Sequence, residues 1–410
     1  MDGAPRHSGS TVPPACQPDP FPLMVAFMDV FTFDVAVIGA GIAGSTAAAA
    51  LAPHRRVILI EAEEAPGYHT SGRSAAIWIL NYGPSDVQVL TGLSRAFFEN
   101  PPEGFTEVPL MSRRPVVFLA PANQRADLQT LLDGGHGLRE IDVAEVRAMV
   151  PALRPGYAAG AAIEEDAFDM DVAALHQGYL RTLRRHGGQL ALRNRVGRIE
   201  RRAGQWEVAG SSGEVFRAPV VVNASGAWGD EVAVIAGVPP LGLEPCRRTG
   251  VIIDPAPYQV ADWPLLNDVT QTWYTRPEAR TRLMVSPADQ TPTHPHDVQP
   301  DELDVAIAID RMQQALDIEV RRIERSWAGL RTFTSDHSLG FGWAPQAEGF
   351  FWCVGQGGYG IQTSPAAGKF VADLILGRDP GPAASIIPKV DPARFFATPE
   401  TSRRSRPTGG

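Results

Sequence analysis

One short segment limits the possible folds more than any other part of the chain. Gly39–Gly44 reads GAGIAG and lies between the apolar run Phe33–Ile38 and an Ala-rich stretch that ends near Leu51. A second apolar run, Arg56–Ile60, ends at Glu61. Both runs are rich in β-branched residues, as buried parallel strands are, and the stretch between them is typical of a helix. The segment therefore predicts a βαβ unit with a Gly-rich turn between its first strand and its helix.

The three glycines of this turn suit the binding of a dinucleotide. Gly39 allows the tight turn, Gly41 lets a pyrophosphate approach the backbone, and Gly44 lets the helix pack against the strand. The N–H groups and the dipole at the helix start favour negative charge. Glu61 comes 22 residues after Gly39, where an acid can accept hydrogen bonds from ribose hydroxyls. The turn alone leaves a purely structural role open, and Glu61 suits NAD and FAD equally.

Strands and helices along the rest of the chain indicate two interleaved domains. Predicted helices are Asp142–Met149, Asp171–His186, Glu302–Leu316 and a last one that ends near Leu376; predicted strands are the hairpin of Val196–Glu200 and Gln205–Ala209, then Val220–Asn223 and Phe350–Val354. We predict an α/β fold with a discontinuous Rossmann-like domain over residues 31–82, 150–235 and 326–388. Residues 83–149 and 236–325 are predicted to form an α+β substrate domain on a mixed or antiparallel sheet. Residues 1–30 and 389–410 are expected to be a disordered extension and a tail.

Composition excludes several classes of function. The formal net charge is -9, which argues against a nucleic-acid partner because phosphate binding needs clustered Lys and Arg. Cys16, Cys246 and Cys353 are far apart, so we predict neither a disulfide framework nor a zinc site, and no other metal site. No run reaches the ~20 apolar residues that a membrane span requires. We expect a cytoplasmic protein, with a peripheral position at the inner membrane as an alternative.

Three further motifs carry a resemblance to a known family. They are Pro66–Ala76 (PGYHTSGRSAA), Val222–Trp228 (VNASGAW) and Gly355–Thr363 (GQGGYGIQT). With them the chain resembles flavoproteins of the D-amino-acid oxidase family over about residues 33–385. Within that family it is most similar to the bacterial D-arginine dehydrogenases, with shared strings such as SRAFF, ALHQGYLR, WAGLR, EGFFW and QGGYGIQTS. The resemblance implies that the dinucleotide is FAD. Because Cys353, the one cysteine near the flavin motifs, lies in a predicted buried strand, we expect no cysteinyl link to the flavin and predict that FAD binds non-covalently.

The resemblance also implies the positions that hold FAD. They are Gly39, Gly41, Ile42, Ala43, Gly44, Glu61, Ala62, His69, Thr70, Ser71, Gly72, Arg73, Ser74, Ala75, Ala76, Val196, Gly357, Gly358, Tyr359, Gly360, Ile361 and Gln362. Independently of the family, a Gly-rich turn ahead of a helix directs N–H groups at a ligand, where they would stabilise a reduced flavin. Simple helix capping is the alternative. His69 is interpreted as a flavin neighbour or a structural histidine rather than a base, with covalent attachment as a minor alternative.

A second set of residues is implied for the substrate. Arg331 matches the family's carboxylate-binding arginine, and Arg248 matches a second contact. An arginine suits this role because its planar fork makes two parallel charge-assisted hydrogen bonds to a carboxylate. Tyr274 matches a tyrosine of the same clamp, and Tyr82 and the Gly358 carbonyl match groups near the amine. Without the resemblance, each arginine would be interpreted as a solvated surface charge.

Two positions differ from the D-arginine dehydrogenases. The acid expected for the substrate guanidinium is replaced here by Val116, and a nearby histidine is replaced by Ile77. An unpaired guanidinium in a closed site costs a few kcal/mol. We therefore predict D-amino acids with apolar or neutral side chains as substrates, rather than D-arginine.

The sequence thus predicts an FAD-dependent D-amino-acid dehydrogenase or oxidase, which would deaminate its substrate to a 2-oxo acid and ammonia. Its partners would be a small D-amino acid and an electron acceptor such as a quinone, a dye or oxygen. The first alternative is a secondary-amine oxidoreductase that acts on sarcosine-like or cyclic imino acids. The second is an NAD-dependent dehydrogenase, and the third is a flavoprotein without turnover.

Overall fold

The computed structural model describes residues 30–396 and Met1. Most of the predicted disordered extension and residues 397–410 of the predicted tail lie outside the described residues. The strands are β1 (Val30–Thr32), β2 (Val35–Ile38), β3 (Val57–Ile60), β4 (Ile77–Trp78), β5 (Met111–Arg113), β6 (Val116–Ala120), β7 (Leu138–Ile141), β8 (Gly160–Glu164), β9 (Phe168–Met170), β10 (Gln189–Ala191), β11 (Val196–Arg202), β12 (Gln205–Gly210), β13 (Val215–Ala218), β14 (Val220–Asn223), β15 (Glu244–Ile253), β16 (Leu265–Asp268), β17 (Tyr274–Glu278), β18 (Arg282–Ser286), β19 (Thr291–Pro292), β20 (Ile323–Phe333), β21 (Gly340–Trp343) and β22 (Phe350–Val354). The α-helices are α1 (Ile42–Leu51), α2 (Ser85–Glu99), α3 (Arg125–Gly134), α4 (Val143–Met149), α5 (Val172–Arg185), α6 (Gly229–Ile235), α7 (Glu302–Ala315), α8 (Gly360–Leu376) and α9 (Ile387–Val390).

A six-stranded sheet forms the centre of the first domain in the described part of the chain. Its order is β10-β3-β2-β14-β22-β21, and its strands are parallel except for the last, β21. The predicted βαβ unit is confirmed, with β2, α1 and β3 close to their expected bounds. β2, β3 and β22 are buried along their whole length, because helices and a second sheet cover the two faces. Their uninterrupted apolar sequences follow from that burial.

Helices α1, α5 and α8 pack together on one face of this sheet. Small residues let α1 and α8 approach closely, since a Cβ added at Gly368 would lie 2.3 Å from the Thr46 hydroxyl. Leu51 and Phe370 fill the layer between the helices and the sheet, and each such side chain contributes about 1.5–3 kcal/mol when buried. This packing fixes the N-terminal ends of α1 and α8 at the same edge of the sheet. The opposite face carries a four-stranded sheet of order β1-β13-β12-β11, which includes the predicted hairpin of β11 and β12.

A larger sheet builds the second domain. Its order is β19-β15-β18-β17-β16-β6-β8-β7, with β20 paired to β15 over ten residue pairs from Glu244–Phe333 to Ile253–Ile323. Along this path the β16–β6 pairing is parallel, and every other pairing with a described register is antiparallel. One face packs on α4 and α7 around Trp273 and Met312, and the other faces the first domain. The predicted α/β fold with a mixed second sheet is confirmed.

The predicted domain boundaries at 150 and 326 do not coincide with these sheets. β8 belongs to the larger sheet, and β20 continues in it to Phe333, although both fall in ranges expected for the first domain. Helix α2, expected in the second domain, packs against α8. The start of the expected tail is also ordered, since a 3-10 helix at Pro392–Phe395 is held by an ion pair of Arg394 with Asp336. Short apolar runs reveal strands but not the sheet they join, because pairing depends on residues far away in sequence.

Candidate active site

A cavity of about 340 Å³ lies between the two sheets. The Gly39–Gly44 turn, the loop 66–76 and the start of α8 line it from the first domain, and β15, β17, β18 and β20 line it from the second. Segments that are far apart in the sequence therefore meet at one cavity.

The glycine turn fits its expected role because side chains would block it. Gly39 has φ +98°, in the left-handed region, and a Cβ there would lie 2.6 Å from the Ala224 carbonyl oxygen. A Cβ at Gly44 would lie 1.8 Å from the Gly39 carbonyl oxygen. Gly41 caps α1 without a side-chain hydrogen bond. The turn thus presents bare backbone to the cavity, as a pyrophosphate requires.

Polar residues hold the turn from behind. The Glu61 carboxylate accepts hydrogen bonds from Ala40 N at 2.7 Å and from Glu63 N at 3.0 Å. On the other side, His176 Nε2 lies 2.9 Å from both the Ala40 carbonyl oxygen and the Ser45 hydroxyl. Burial lowers the pKa of His176, and the Ala40 bond only partly opposes this. A neutral His176 therefore donates to Ala40. Sequence reasoning missed this histidine, because the family strings marked its segment but gave it no role.

Two helices direct their N-termini into the cavity. Ile42 N, in the first turn of α1, donates to the Ser71 hydroxyl at 2.8 Å. Gly358, Gly360 and Ile361 line the cavity at the start of α8. Free N–H groups and the positive end of each helix dipole favour a ligand with negative charge at these two points. Two such ends, one at each part of the cavity, suit an elongated anionic ligand.

The loop 66–76 ties the two domains together over the cavity. Thr70 Oγ1 donates to the Leu330 carbonyl at 2.6 Å, and Arg73 Nη1 donates to the Ala328 carbonyl at 3.1 Å. His69 Nε2 lies 3.0 Å from the Glu63 carboxylate, and its ring packs against Trp228 with the ring centres 4.6 Å apart. His69 therefore has an acidic partner and an aromatic neighbour at the cavity wall. This geometry supports the structural interpretation of His69 rather than a catalytic base.

Most of the residues predicted to hold FAD line this one cavity. They are Gly39, Gly41, Ile42, Ala43, Glu61, Ala62, His69, Thr70, Ser71, Arg73, Ser74, Ala75, Val196, Gly357, Gly358, Gly360 and Ile361. Five of the set are not part of this lining, namely Gly44, Gly72, Ala76, Tyr359 and Gln362. Gln362 is 2% exposed, and its amide bonds Ile79 and Thr91. Its role in the structure is to join α8 to the segment that leads to Tyr82.

Two half-buried arginines mark the other end of the cavity. Arg331 Nη1 donates to the Tyr82 hydroxyl at 2.7 Å, and Arg248 Nε donates to the Asp289 carbonyl at 2.7 Å. Among residues 30–396, neither guanidinium lies within 4.0 Å of a carboxylate. Both line the cavity, and Tyr274 lies beside them. The structure thus brings together the predicted substrate residues around two guanidiniums, of which Arg248 is partly balanced by the more distant Asp289 carboxylate.

The ionisation of these groups reflects their mutual contact. Burial lowers the pKa of Arg248, and the charge of Arg331 lowers it further. Burial also opposes ionisation of Tyr82, but the two arginines outweigh burial and lower the pKa of its hydroxyl. Gly358, the fifth predicted substrate residue, lies against the clamp, since a Cβ there would lie 2.8 Å from Arg331 Nη1 and 3.0 Å from the Tyr82 hydroxyl and would displace both groups. An anion placed in this cluster would relieve the repulsion between the two cations.

Ile77 and Val116 lie beside the substrate end rather than in the cavity wall. They pack in one cluster with Phe118 and Leu265, and the ring of Tyr274 packs against that cluster. Val116 is fully buried. The region past Tyr274 therefore has an apolar wall where the D-arginine dehydrogenases were expected to carry an acid. The cavity also includes Trp228, Met284 and Trp327, which sequence reasoning did not single out although Trp228 and Trp327 stand inside quoted family motifs.

Comparison with known proteins identifies the family. The family model for FAD-dependent oxidoreductases (DAO) matches residues 34–374. The chain belongs to this family. Its cofactor is therefore FAD, which rules out the NAD-dependent alternative. The parts of the cavity that fit FAD are the glycine turn, Glu61 and the starts of α1 and α8. The resemblance is confirmed for the family, whereas the closer likeness to the D-arginine dehydrogenases stays a prediction.

Similar proteins agree with the family at lower coverage. The chain is 27% identical over 179 residues to FAD-dependent oxidoreductase domain-containing protein 1 of Xenopus laevis, covering 38% of this chain and 34% of that protein. It is 29% identical over 172 residues to glycine oxidase of Geobacillus kaustophilus, covering 41% of this chain and 43% of the relative. The matches thus span well under half the length of these relatives.

Solved structures match over most of the chain. The structure of the same glycine oxidase has a TM-score of 0.75 at 23% identity, covering 85% of this chain and 95% of that chain. L-proline dehydrogenase from P. horikoshii has a TM-score of 0.77 at 19% identity, covering 90% and 99%. These likenesses show a shared fold. Within residues 30–396, none of the helices is both long and apolar enough to cross a membrane.

Proposed function

We propose that this protein catalyses the FAD-dependent oxidative deamination of D-amino acids. The observation that carries the proposal is the pair of half-buried arginines, Arg248 and Arg331, that face the cavity without a carboxylate within 4.0 Å among the described residues. Buried charges are ordinarily paired, so a cavity lined by two unpaired arginines is built for an anionic ligand. An amino-acid carboxylate satisfies both charge and planar geometry.

Each substrate-facing residue has a distinct role in this proposal. Arg331 binds the carboxylate through two parallel hydrogen bonds. Arg248 contributes a second positive charge, and the Asp289 carbonyl fixes its orientation. Tyr274 donates its hydroxyl to the carboxylate, and Tyr82 with the Gly358 carbonyl lines the site near the amine. Holding the substrate in one orientation supplies much of the rate enhancement in such a reaction.

The chemistry requires an uncharged amine and no separate base. Bound FAD supplies the acceptor for the hydride that leaves the substrate Cα. The amine nitrogen then forms an imine with Cα, and water hydrolyses this imine to a 2-oxo acid and ammonia. Because the nearby charges are positive, they favour the neutral form of the bound amine over the ammonium. His69 is paired with Glu63 and is not needed for proton removal.

Substrate side chains are expected to be neutral. The cluster of Ile77, Val116, Phe118 and Leu265 beside Tyr274 is apolar. The acid opposite Val116, Glu164, is buried with a raised pKa, and its oxygens already accept hydrogen bonds from Leu80 N and Asn81 Nδ2. A second candidate, oxidation of secondary amines or glycine, is supported by the shared fold with a glycine oxidase and an L-proline dehydrogenase. Both candidates require the same carboxylate clamp, so the clamp does not separate them.

A substrate panel separates the candidates. The FAD-loaded protein would be assayed with D-amino acids, the matching L-amino acids, glycine, sarcosine and proline, using a dye acceptor in parallel with an oxygen electrode. We expect the highest kcat/KM with D-amino acids that have neutral side chains. Highest activity on sarcosine or proline would favour the second candidate, and a strong preference for D-arginine or D-lysine would contradict the predicted side-chain class. The two detection methods together distinguish a dehydrogenase from an oxidase.

A further inference from the structure

Asn267 stands out on the substrate side of the larger sheet because its amide lacks a partner. Its Oδ1 is fully buried and has no hydrogen-bond partner among the described residues. The residue itself is 8% exposed. Buried amides in proteins are nearly always hydrogen-bonded. An unpartnered one beside a ligand cavity is therefore a candidate for contact with the ligand.

The sheet register places Asn267 next to the substrate clamp. Asn267 lies directly opposite Tyr274 in the antiparallel pair of β16 and β17. Side chains alternate along a strand, and Leu266 points into the core on the far face with Val251. Asn267 therefore shares the near face with Leu265, which packs with Val116. Directly opposed side chains lie ≈ 4.5–5.5 Å apart at Cβ, so Asn267 lies next to Tyr274, which lines the cavity, although Asn267 itself is not part of that lining.

The charges beside Tyr274 are already balanced. Arg276, two residues after Tyr274 on the same strand, pairs with Asp169 at 3.2 Å and Glu278 at 2.8 Å. Asp169 also pairs with Arg114 at 2.8 Å. Two cations thus meet two anions. Glu164, opposite Val116 on β8, is a further buried carboxylate; it accepts hydrogen bonds from Leu80 N and Asn81 Nδ2, and burial raises its pKa. Arg276 Nε is nevertheless buried without a partner among the described residues, which leaves one N–H donor in addition to the Asn267 amide.

From these contacts we propose that Asn267 determines substrate specificity by hydrogen bonding to a neutral polar side chain, best a carboxamide. A primary amide pairs with another primary amide through one donor and one acceptor on each side. The inference rests on the proposed D-amino-acid oxidation and narrows the expected side chains from apolar or neutral to hydrogen-bonding and neutral. The apolar wall of Val116 and Leu265 would then surround the side-chain stem.

Matched substrate pairs test the proposal in the FAD-loaded protein. D-asparagine and D-leucine have similar shape, as do D-glutamine and D-methionine. We expect the wild type to prefer the amide in at least one pair. Asn267→Leu should lower that amide-to-apolar ratio of kcat/KM about tenfold, because the substrate amide loses its partner. Leu266→Met, on the same strand but on the far face of the sheet, is the control and should leave the ratio within about twofold.

The outcomes separate this inference from the proposed function. If both pairs are oxidised but Asn267→Leu leaves the ratio unchanged, only the role of Asn267 is refuted. If none of the four D-amino acids is oxidised while glycine or sarcosine is, the proposed function and the inference both fail. Thermal unfolding adds a second readout. Asn267→Leu should unfold at or above the wild-type temperature, whereas a purely structural role for the amide would lower it.

Discussion

Arg331→Met offers the sharpest test of the carboxylate clamp. The variant keeps a long side chain but removes the planar donor fork that faces the cavity. Hydrogen bonds to charged groups contribute about 1.5–3 kcal/mol each, so loss of two removes about 3–6 kcal/mol of transition-state binding. At about 1.4 kcal/mol per factor of ten, kcat/KM for a D-amino acid should fall roughly 10²- to 10⁴-fold. The yellow colour of bound FAD should remain, because the dinucleotide turn lies at the other end of the cavity.

Stability should respond differently from activity. Within the described residues the Arg331 guanidinium has one hydrogen bond, to the Tyr82 hydroxyl, and no carboxylate partner. Removing it costs that bond but also removes a half-buried unpaired charge, so we expect the Tm to change by less than about 3 °C. Pyruvate, a carboxylate that could be a product, should raise the Tm of the wild type but not that of the variant.

Arg282→Met is the matched control for this test. Arg282 lies in the same sheet, pairs with Glu324 at 2.7 Å and is not part of the cavity wall. Its variant should retain both activity and the pyruvate shift. The clamp assignment would be refuted if Arg331→Met kept wild-type kcat/KM, or if pyruvate raised the Tm of that variant as much as that of the wild type.

The site supports three further predictions. Gly44→Ala should abolish FAD binding, because its Cβ would lie 1.8 Å from the Gly39 carbonyl oxygen. Gly92→Ala in α2, where the nearest atom lies 3.8 Å away, should bind FAD normally. The flavin absorbance of the two purified proteins checks both expectations. Burial lowers the pKa of His176 below its usual 6.5, so the folded protein binds fewer protons than the unfolded chain between that lowered pKa and 6.5. Its contribution to stability is therefore full above 6.5 and declines as pH falls through this window; Tm measured against pH should show this, and an equal slope in His176→Gln would contradict it. A plot of kcat against pH for the wild type should rise and level off, with an apparent pKa below that of the free substrate amine. Arg248→Met should raise this apparent pKa. An unchanged apparent pKa in the variant would exclude an effect of Arg248 on the amine.

The dinucleotide half of the site could be predicted from the sequence because its contacts are local. Gly39, Gly41 and Gly44 belong to one turn, and the strands around them are continuous apolar runs whose burial the structure confirms. What the sequence did not reveal is the support behind the turn. His176 reaches Ala40 from 136 positions away, and no local pattern distinguishes a histidine that donates to a backbone carbonyl from one on a helix surface.

The substrate half depends on distant pairing and could not be predicted from local patterns. Tyr82 and Arg331 are 249 positions apart and meet only because β20 pairs with β15 beside the Tyr82 segment. Arg247 and Arg248 look equivalent in the sequence. In the structure Arg247 pairs with Asp304 at 2.7 Å, whereas Arg248 faces the cavity without an acid within 4.0 Å among the described residues. Successive residues of a strand face opposite sides, but the sheet must be known before the two sides can be told apart.

Under the proposed function, the two arginines would also remove the need for a dedicated base. A substrate carboxylate neutralises one of the charges of Arg248 and Arg331, so a net positive charge remains beside the N-terminus of α8. Positive potential disfavours the ammonium form of a bound amine, which lowers its pKa and leaves it neutral at a lower pH than in water. The same charges that bind the carboxylate would therefore prepare the amine to lose a hydride. His69, the nearby histidine, is bound to Glu63 rather than free to accept a proton. Substrate binding and substrate activation would then depend on the same pair of arginines.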